Sequence, residues 1–256
     1  MASLSVTVIT KNEAHNIEAC LRSVAFADEV VVLDSGSSDD TVQKALAMGA
    51  IVSVNTDWQG FGQQKNRALA LASSDWVLSL DADERVPPQL QAEIRAALGA
   101  PSFDAYSFPR LSSYCGQEIL HSGWYPDRIT RLFRRDSAQF SNDLVHEKIL
   151  TTGTIGQLQS ALQHASFTSL EAVLDKVNRY SSAGAQALLD KGRNASLCKA
   201  LGHGLWAFVR TYFLRLGFLD GQMGLVLAIS NAEGTYYRYL KLWLLRRNRR
   251  EVLGTP

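Results

Sequence analysis

The chain reads as an α/β protein: a mostly parallel sheet covered by helices, followed by a helical C-terminal extension. Three observations predict this. Short β-branched runs alternate with helix-period segments through residues 1–100, as parallel strands joined by crossover helices do. Polar, acidic turns follow three of those runs, at the edge where open α/β sheets bind ligands. From Leu170 onward the strand signals give way to helical spacing.

Each element has its own signal. Residues 4–10 are rich in β-branched side chains and read as the first strand. Residues 13–23 read as a helix, with Ile17, Leu21 and Val24 on one face. Residues 29–33 form a second strand. The polar turn 34–40 caps a helix over 41–48, which Gly49 stops. Residues 51–54 are a third strand, and Gly60-Phe61-Gly62 turns into a helix ending near Ser73. Trp76-Val77-Leu78-Ser79-Leu80 is a buried strand. Beyond Pro101 the pattern loosens, with strands expected at 104–111, 129–134 and 145–151. Val173, Val177, Tyr180 and Leu188 then mark helix, and residues 205–245 are dense in Leu, Phe, Trp and Tyr. The expected division is a sheet domain over 1–168 and a helical extension over 169–256.

The 256 residues carry a formal charge of +1, which conceals a gradient. Residues 1–100 hold 7 Lys and Arg against 13 Asp and Glu, residues 101–170 hold 6 of each, and residues 171–256 hold 13 against 6. The acidic front is a poor nucleic-acid surface and a natural metal–nucleotide site; the basic, apolar tail suits an anionic partner or a membrane surface. Cys20, Cys115 and Cys198 show no paired spacing, which predicts free thiols in a reducing compartment and no zinc. No signal peptide is read at the N-terminus, and no uncharged apolar run reaches the roughly 18 residues of a transmembrane helix.

Asp81-Ala82-Asp83-Glu84 is the most informative feature. Two carboxylates two residues apart leave the edge of a buried strand, and hard carboxylate oxygens suit Mg²⁺ or Mn²⁺. Alone, the turn also reads as a solvated helix start ahead of Pro87-Pro88. Its company changes that. Thr10-Lys11-Asn12-Glu13, Asp34-Ser35-Gly36-Ser37-Ser38-Asp39 and Gln64-Lys65-Asn66-Arg67-Ala68-Leu69, together with the acidic turn, resemble the nucleotide-sugar-binding half of the family 2 inverting glycosyltransferases, of Rossmann-like GT-A fold. This resemblance covers residues 3–170. Asp57-Trp58-Gln59-Gly60-Phe61-Gly62, Gly123-Trp124-Tyr125-Pro126-Asp127, Arg131-Leu132-Phe133-Arg134, Val145-His146-Glu147-Lys148 and Gly217-Phe218-Leu219-Asp220-Gly221 resemble one bacterial subfamily over nearly the whole chain. Its members are lipopolysaccharide core β-1,4-glucosyltransferases, which add glucose to an inner-core heptose.

The resemblance implies a metal-assisted single displacement from UDP-glucose. Asp83, and His164 on a later strand, are the implied ligands of Mg²⁺ or Mn²⁺; a bonded core or loop histidine is the other reading of His164. Thr10, Asn12, Glu13, Asp34, Lys65, Asp81 and Ala82 fall around the nucleotide sugar. Asp34 resembles the acid that reads the uracil N3–H, and Lys65 is placed as a diphosphate contact or a solvent-facing helix lysine. Ser37 and Asp39 suit helix capping. Two carboxylates compete as the base. Glu147 is favoured, although His146-Glu147 stands where Glu-Asp is usual; Asp127 follows aromatics suited to a sugar face. Trp58 and Phe61 are expected in the core, and His15, His121 and His203 have no assigned partner. The tail reads either as an interfacial helix on an anionic leaflet or as a helical lid, which places the protein in the cytoplasm, peripheral on the inner membrane, with a lipid-anchored glycan acceptor and no nucleic-acid partner. The same chemistry on a polyprenyl phosphate, an exopolysaccharide or a protein is the alternative. A non-catalytic membrane-associated module is the alternative of another class.

Overall fold

Strands buried on both faces tolerate apolar runs without alternation, as in Val31-Val32-Leu33 and Trp76-Val77-Leu78, all buried. The computed structural model describes residues 2–141 and 148–253. β1 (Leu4–Thr10) is buried throughout. β2 (Glu29–Asp34), β3 (Ile51–Val54) and β4 (Trp76–Asp81) run parallel to it in the order β3-β2-β1-β4. The helices α1 (Ile17–Ser23), α2 (Thr41–Ala47) and α3 (Phe61–Leu71) connect them. α1 starts at Ile17, its first apolar face residue, four residues after the expected start at Glu13. Asn12 is left-handed at φ 57°, and the amides of Asn16 and Ile17 first close a turn on the Glu13 carbonyl at 2.9 Å.

The acidic turn leads into β5 (Glu84–Arg85) and α4 (Pro88–Gly99). Pro88 suits the first helical position, and Leu90, Ile94 and Leu98 recur every four residues on its buried face. β6 (Ala105–Tyr114), β7 (Gln117–Glu118), β8 (Asp127–Arg134), β9 (Ala138–Phe140), β10 (Ile149–Thr151), β11 (Ile155–Gln157) and β12 (Leu162–Phe167) follow. The main sheet has the order β3-β2-β1-β4-β8-β6-β12-β5, with β8 antiparallel to both β4 and β6.

The chain forms two compact units: Met1–Leu111 with Asp127–His164, and Ser112–Pro126 with Ala165–Pro256. The excursion Ser112–Pro126 goes with the helices, because its Tyr114 and Ile119 pack in one cluster with Val173 and Leu227. In the sheet unit, alternation along β4 serves two cores: Leu78 and Leu80 join Val6, Val8, Ile17 and Leu90, while Val77 joins Ala72, Phe133 and Phe140.

The helical unit holds α5 (Leu170–Asp190), α6 (Leu197–Val209), a π-helical turn (Arg210–Leu214), a 3₁₀ turn (Gly217–Asp220) and α7 (Gly221–Leu253). Ser169 and Ser196 cap α5 and α6 by accepting from Ala172 N and Lys199 N. His203 stacks on Tyr239 with centroids 4.0 Å apart. Among the described residues no single helix is long and apolar enough to cross a membrane. One pair, Leu197–Leu214 and Gly217–Asn248, has that length and composition jointly, bent by 72°. The three cysteines are unbridged, with Cys20 buried and Cys198 exposed.

Candidate active site

Parallel register brings the predicted polar residues to one edge of the sheet unit. Thr10 lies opposite Asp34, and Ile9 opposite Asp81. The C-terminal ends of β1, β2 and β4 therefore converge, as open α/β sheets require for a ligand site.

A chain of alternating charges organises the acidic turn. Lys65 Nζ lies 2.9 Å from Asp81 Oδ1, and Arg131 Nη2 lies 2.8 Å from Asp81 Oδ2. Arg131 also reaches Glu84 Oε1 at 3.4 Å. Arg110 reaches the same oxygen at 3.5 Å and Asp127 Oδ2 at 2.6 Å. Glu84 is wholly buried and accepts the Asp81 amide at 2.9 Å, closing the turn. Three cations thus meet three carboxylates, so little net charge is buried. Burial would raise the Asp81 carboxyl, but Lys65 and then Arg131 outweigh it and hold the group well below the usual carboxylate range. Lys65 is 1 % exposed. Its place is beneath Asp81, not at the solvent-facing surface of α3. Arg131, Glu84 and Arg110 carry this network without having been assigned roles from sequence. Arg131 lies at an irregularity of the strand, where Thr130 and Leu132 face adjacent residues Ser107 and Tyr106, so strand alternation gives no signal for it.

The neighbouring residues of α3 are each committed to a partner. Gln64 donates to Ser35 Oγ at 3.0 Å. Asn66 exchanges two bonds with the Phe140 backbone at 2.8 and 2.9 Å. Arg67 holds Asp57 at 2.7 Å. Trp58 and Phe61 lie edge to face with centroids 4.9 Å apart, and both are about half exposed instead of packed in the core.

Asp83 points out of the network. Its Oδ2 lies 3.2 Å from His164 Nε2, because β12 pairs with β5 so that His164 sits opposite Glu84. One carboxylate and one imidazole side by side suit a divalent cation: the carboxylate suits Mg²⁺ or Mn²⁺, and imidazole suits a transition metal better than Mg²⁺. Among the described residues no group of three His, Cys, Asp or Glu forms a complete cage. The pair therefore fits an ion whose remaining ligands are substrate oxygens and water. Ala82, between the two acids, is 4 % exposed.

The edge of β1 and β2 is tied by local capping. Asp34 Oδ1 accepts the amides of Gly36 and Ser37 at 2.8 Å each, and its other oxygen accepts the Ser37 hydroxyl. These bonds take three of the roughly four acceptor positions of a carboxylate, and Asp34 is buried. Asn12 Oδ1 accepts from Ser38 N at 2.8 Å. Asp39 receives Thr41 N and Ala14 N, the capping role expected of it. Glu13 is raised above the ordinary carboxylate value, chiefly by burial; its bond from Asn16 opposes this, and Asp83 adds to it. Thr10 Oγ1 is buried and has no hydrogen-bond partner among the described residues. A buried hydroxyl of this kind is a group that ligand binding would satisfy.

Of the two candidate bases, Glu147 lies outside the described residues. Asp127, at the start of β8, takes both Arg110 contacts on Oδ2 at 2.6 and 3.0 Å, with its side chain 44 % exposed.

In the helical unit His121 has a carboxylate partner. Asp220 is buried and accepts from Leu120 N at 3.0 Å, His121 N at 3.1 Å, Ser122 Oγ at 3.0 Å and the His121 ring at 3.0 Å. His15 lies 3.0 Å from Asn16 Nδ2.

Known proteins share sequence similarity with this chain over most of its length. The model of glycosyl transferase family 2 matches residues 5–164. The chain is 34 % identical over 255 residues to the uncharacterized glycosyltransferase RP128 of Rickettsia prowazekii, covering 94 % of this chain and 87 % of that protein. It is 28 % identical over 250 residues to the lipopolysaccharide core biosynthesis glycosyltransferase LpsC of Rhizobium meliloti, covering 92 % and 93 %. Among solved structures, residues 1–349 of S. aureus TarS align over 96 % of this chain and 92 % of that one, at a TM-score of 0.47 and 16 % identity.

Proposed function

The chain belongs to glycosyl transferase family 2, and from that premise we propose that it moves glucose from UDP-glucose to an inner-core heptose of lipopolysaccharide, forming a β-1,4 linkage. The observation that carries the donor half is the Asp83–His164 pair at 3.2 Å beside a neutralised Asp81. The full-length similarity to LpsC supports the acceptor class.

In this reading the acceptor hydroxyl oxygen attacks the anomeric carbon from the face opposite the diphosphate. The new C–O bond forms as the bond to the diphosphate breaks, its electron pair leaves on UDP, and the configuration inverts. The hydroxyl proton goes to a carboxylate, Glu147 or else Asp127. Asp83 and His164 would hold Mn²⁺ or Mg²⁺, which when bound neutralises charge on the departing diphosphate. Thr10, Asn12, Glu13 and Asp34 dock the nucleoside, with the Thr10 hydroxyl as a polar contact. Asp81, held by Lys65 and Arg131, fixes the turn that aims Asp83.

The protein works on the cytoplasmic face of the inner membrane, on a lipid-anchored acceptor. The helical unit supports this by exposing Leu205, Trp206, Phe213, Leu214 and Leu219, apolar surface that suits the interface of a leaflet.

Thermal melting with UDP-glucose, with and without Mn²⁺, tests the donor half. At ligand 100-fold over Kd the metal-dependent rise should be roughly 5–10 °C, and Asp83→Ala should abolish it together with transfer. No rise in the native chain would reject the donor assignment.

A further inference from the structure

The helical unit contains an open cavity of ≈ 390 Å³ that the transfer chemistry above does not use. That volume is within the range of about 300–1,000 Å³ usual for small-ligand sites. Its lining includes Lys176, Arg210, Arg215 and Arg238, with Trp124 and Tyr180 as aromatic wall, and no Asp or Glu among the described residues. Lys176 rides over the Phe167 ring at 4.6 Å. Arg210, Arg215 and Arg238 form no ion pair with any described carboxylate. Lys241 shows the contrast on the same helix: its ammonium is consumed by Asn178, Ser181 and Ser182 at 2.8–3.0 Å.

The arginines are placed, not merely present. Gly123 sits at φ +79°, and a Cβ there would lie 2.8 Å from Arg215 Cζ. The bare backbone is therefore the surface on which the guanidinium lies. The loop carrying Gly123 is pinned by Asp220, and Ser122 N donates to Arg215 O at 2.8 Å. A Cβ on Gly184 would lie 2.9 Å from Arg238 Nε. Arg210 and Arg215 are joined by the wide turn in which Arg215 N donates to Arg210 O at 2.9 Å, a helix variant often found at functional sites.

We propose that this cavity binds a phosphorylated sugar. Converging guanidinium groups suit the oxygens of a dianionic phosphate, and the aromatic wall suits a sugar face. The proposal rests on the acceptor assignment above only for the view that the sugar belongs to the acceptor; the phosphate site itself does not depend on it.

Titration calorimetry on the full chain tests this with glucose 6-phosphate, glucose, glucuronic acid and phosphatidylglycerol vesicles as probes. Glucose 6-phosphate should bind at least tenfold more tightly than glucose and more tightly than glucuronic acid. Arg215→Gln and Arg238→Gln should each weaken it about tenfold, as the loss of one charge-assisted bond implies. Gly123→Ala, which displaces Arg215 but keeps its charge, should weaken it too. Both arginine variants should melt like the native chain and bind UDP-glucose with Mn²⁺ within twofold of it, an arm that reads the donor site separately. Equal binding of glucose and glucose 6-phosphate, binding indifferent to the arginine variants, or binding of vesicles alone would overturn the proposal.

Discussion

The two units handle positive charge in opposite ways. In the sheet unit Lys65, Arg131 and Arg110 each contact at least one carboxylate, and the three link Asp81, Glu84 and Asp127 in a line. In the helical unit Arg210, Arg215 and Arg238 line a cavity in which no described carboxylate meets them. Buried cations must be paired where they sit, because desolvation leaves them no alternative. Exposed guanidinium groups stay hydrated until a ligand replaces the water. The first arrangement holds a turn in shape; the second is available for recognition.

The sharpest way to break the comparison is Lys65→Met. Removing one member of a buried pair costs about 3 kcal/mol, the low end for such losses, because Asp81 keeps 31 % of its side chain exposed. The sign with pH follows from Asp81. Its folded value lies below the ordinary 3.8, so the stabilisation is present above that value and is lost as pH falls toward the folded one. Urea melts should therefore show the gap between native and variant greatest near neutrality and narrowing below pH 3.8. A gap that widens in acid would mean that the Lys65–Asp81 pair does not stabilise the fold.

Asp220→Ala carries the test into the helical unit, where a buried acid serves neutral donors instead of cations. Leaving the amides of Leu120 and His121 and the Ser122 hydroxyl without this acceptor should cost about 2 kcal/mol, read by thermal melting. If the Asp220 loop seats Arg215, glucose 6-phosphate binding should fall with it while UDP-glucose binding holds.

The smallest expected effect is at Thr10. Thr10→Val preserves shape and removes the buried hydroxyl that has no partner among the described residues. The ligand-free chain should gain up to about 1 kcal/mol, while UDP-glucose affinity falls severalfold. Loss of stability on this change would show that the hydroxyl is already satisfied, by water or otherwise.

Much of the fold was legible in local pattern. Residues 4–10 and 51–54 are strands as their β-branching predicts, because apolar runs bounded by turn residues need no distant information. α1 begins after the expected Glu13 because the Asn12 turn, held by bonds to Ser37 and Ser38, depends on a segment about 25 residues away. Leu90, Ile94 and Leu98 mark the buried face of α4, where Pro87-Pro88 alone mark only a helix start.

The site divides along the same line. Local sequence placed the acids at strand ends, and with the family resemblance it named Asp83 and His164. It also made Asp39 a capping residue, which its bond from Thr41 N bears out; Ser37, expected to cap as well, instead accepts from Asn12 N and donates to Asp34. It did not show that Lys65 is buried under Asp81, that Arg131 and Arg110 complete the line of charges, or that Asp220 receives a loop 98–100 residues upstream. Backbone conformation and burial pattern are short-range properties of a chain. Which cation meets which carboxylate, and which is left for a ligand, depends on distances of a few ångströms between residues far apart in sequence, and those exist only once the chain has folded.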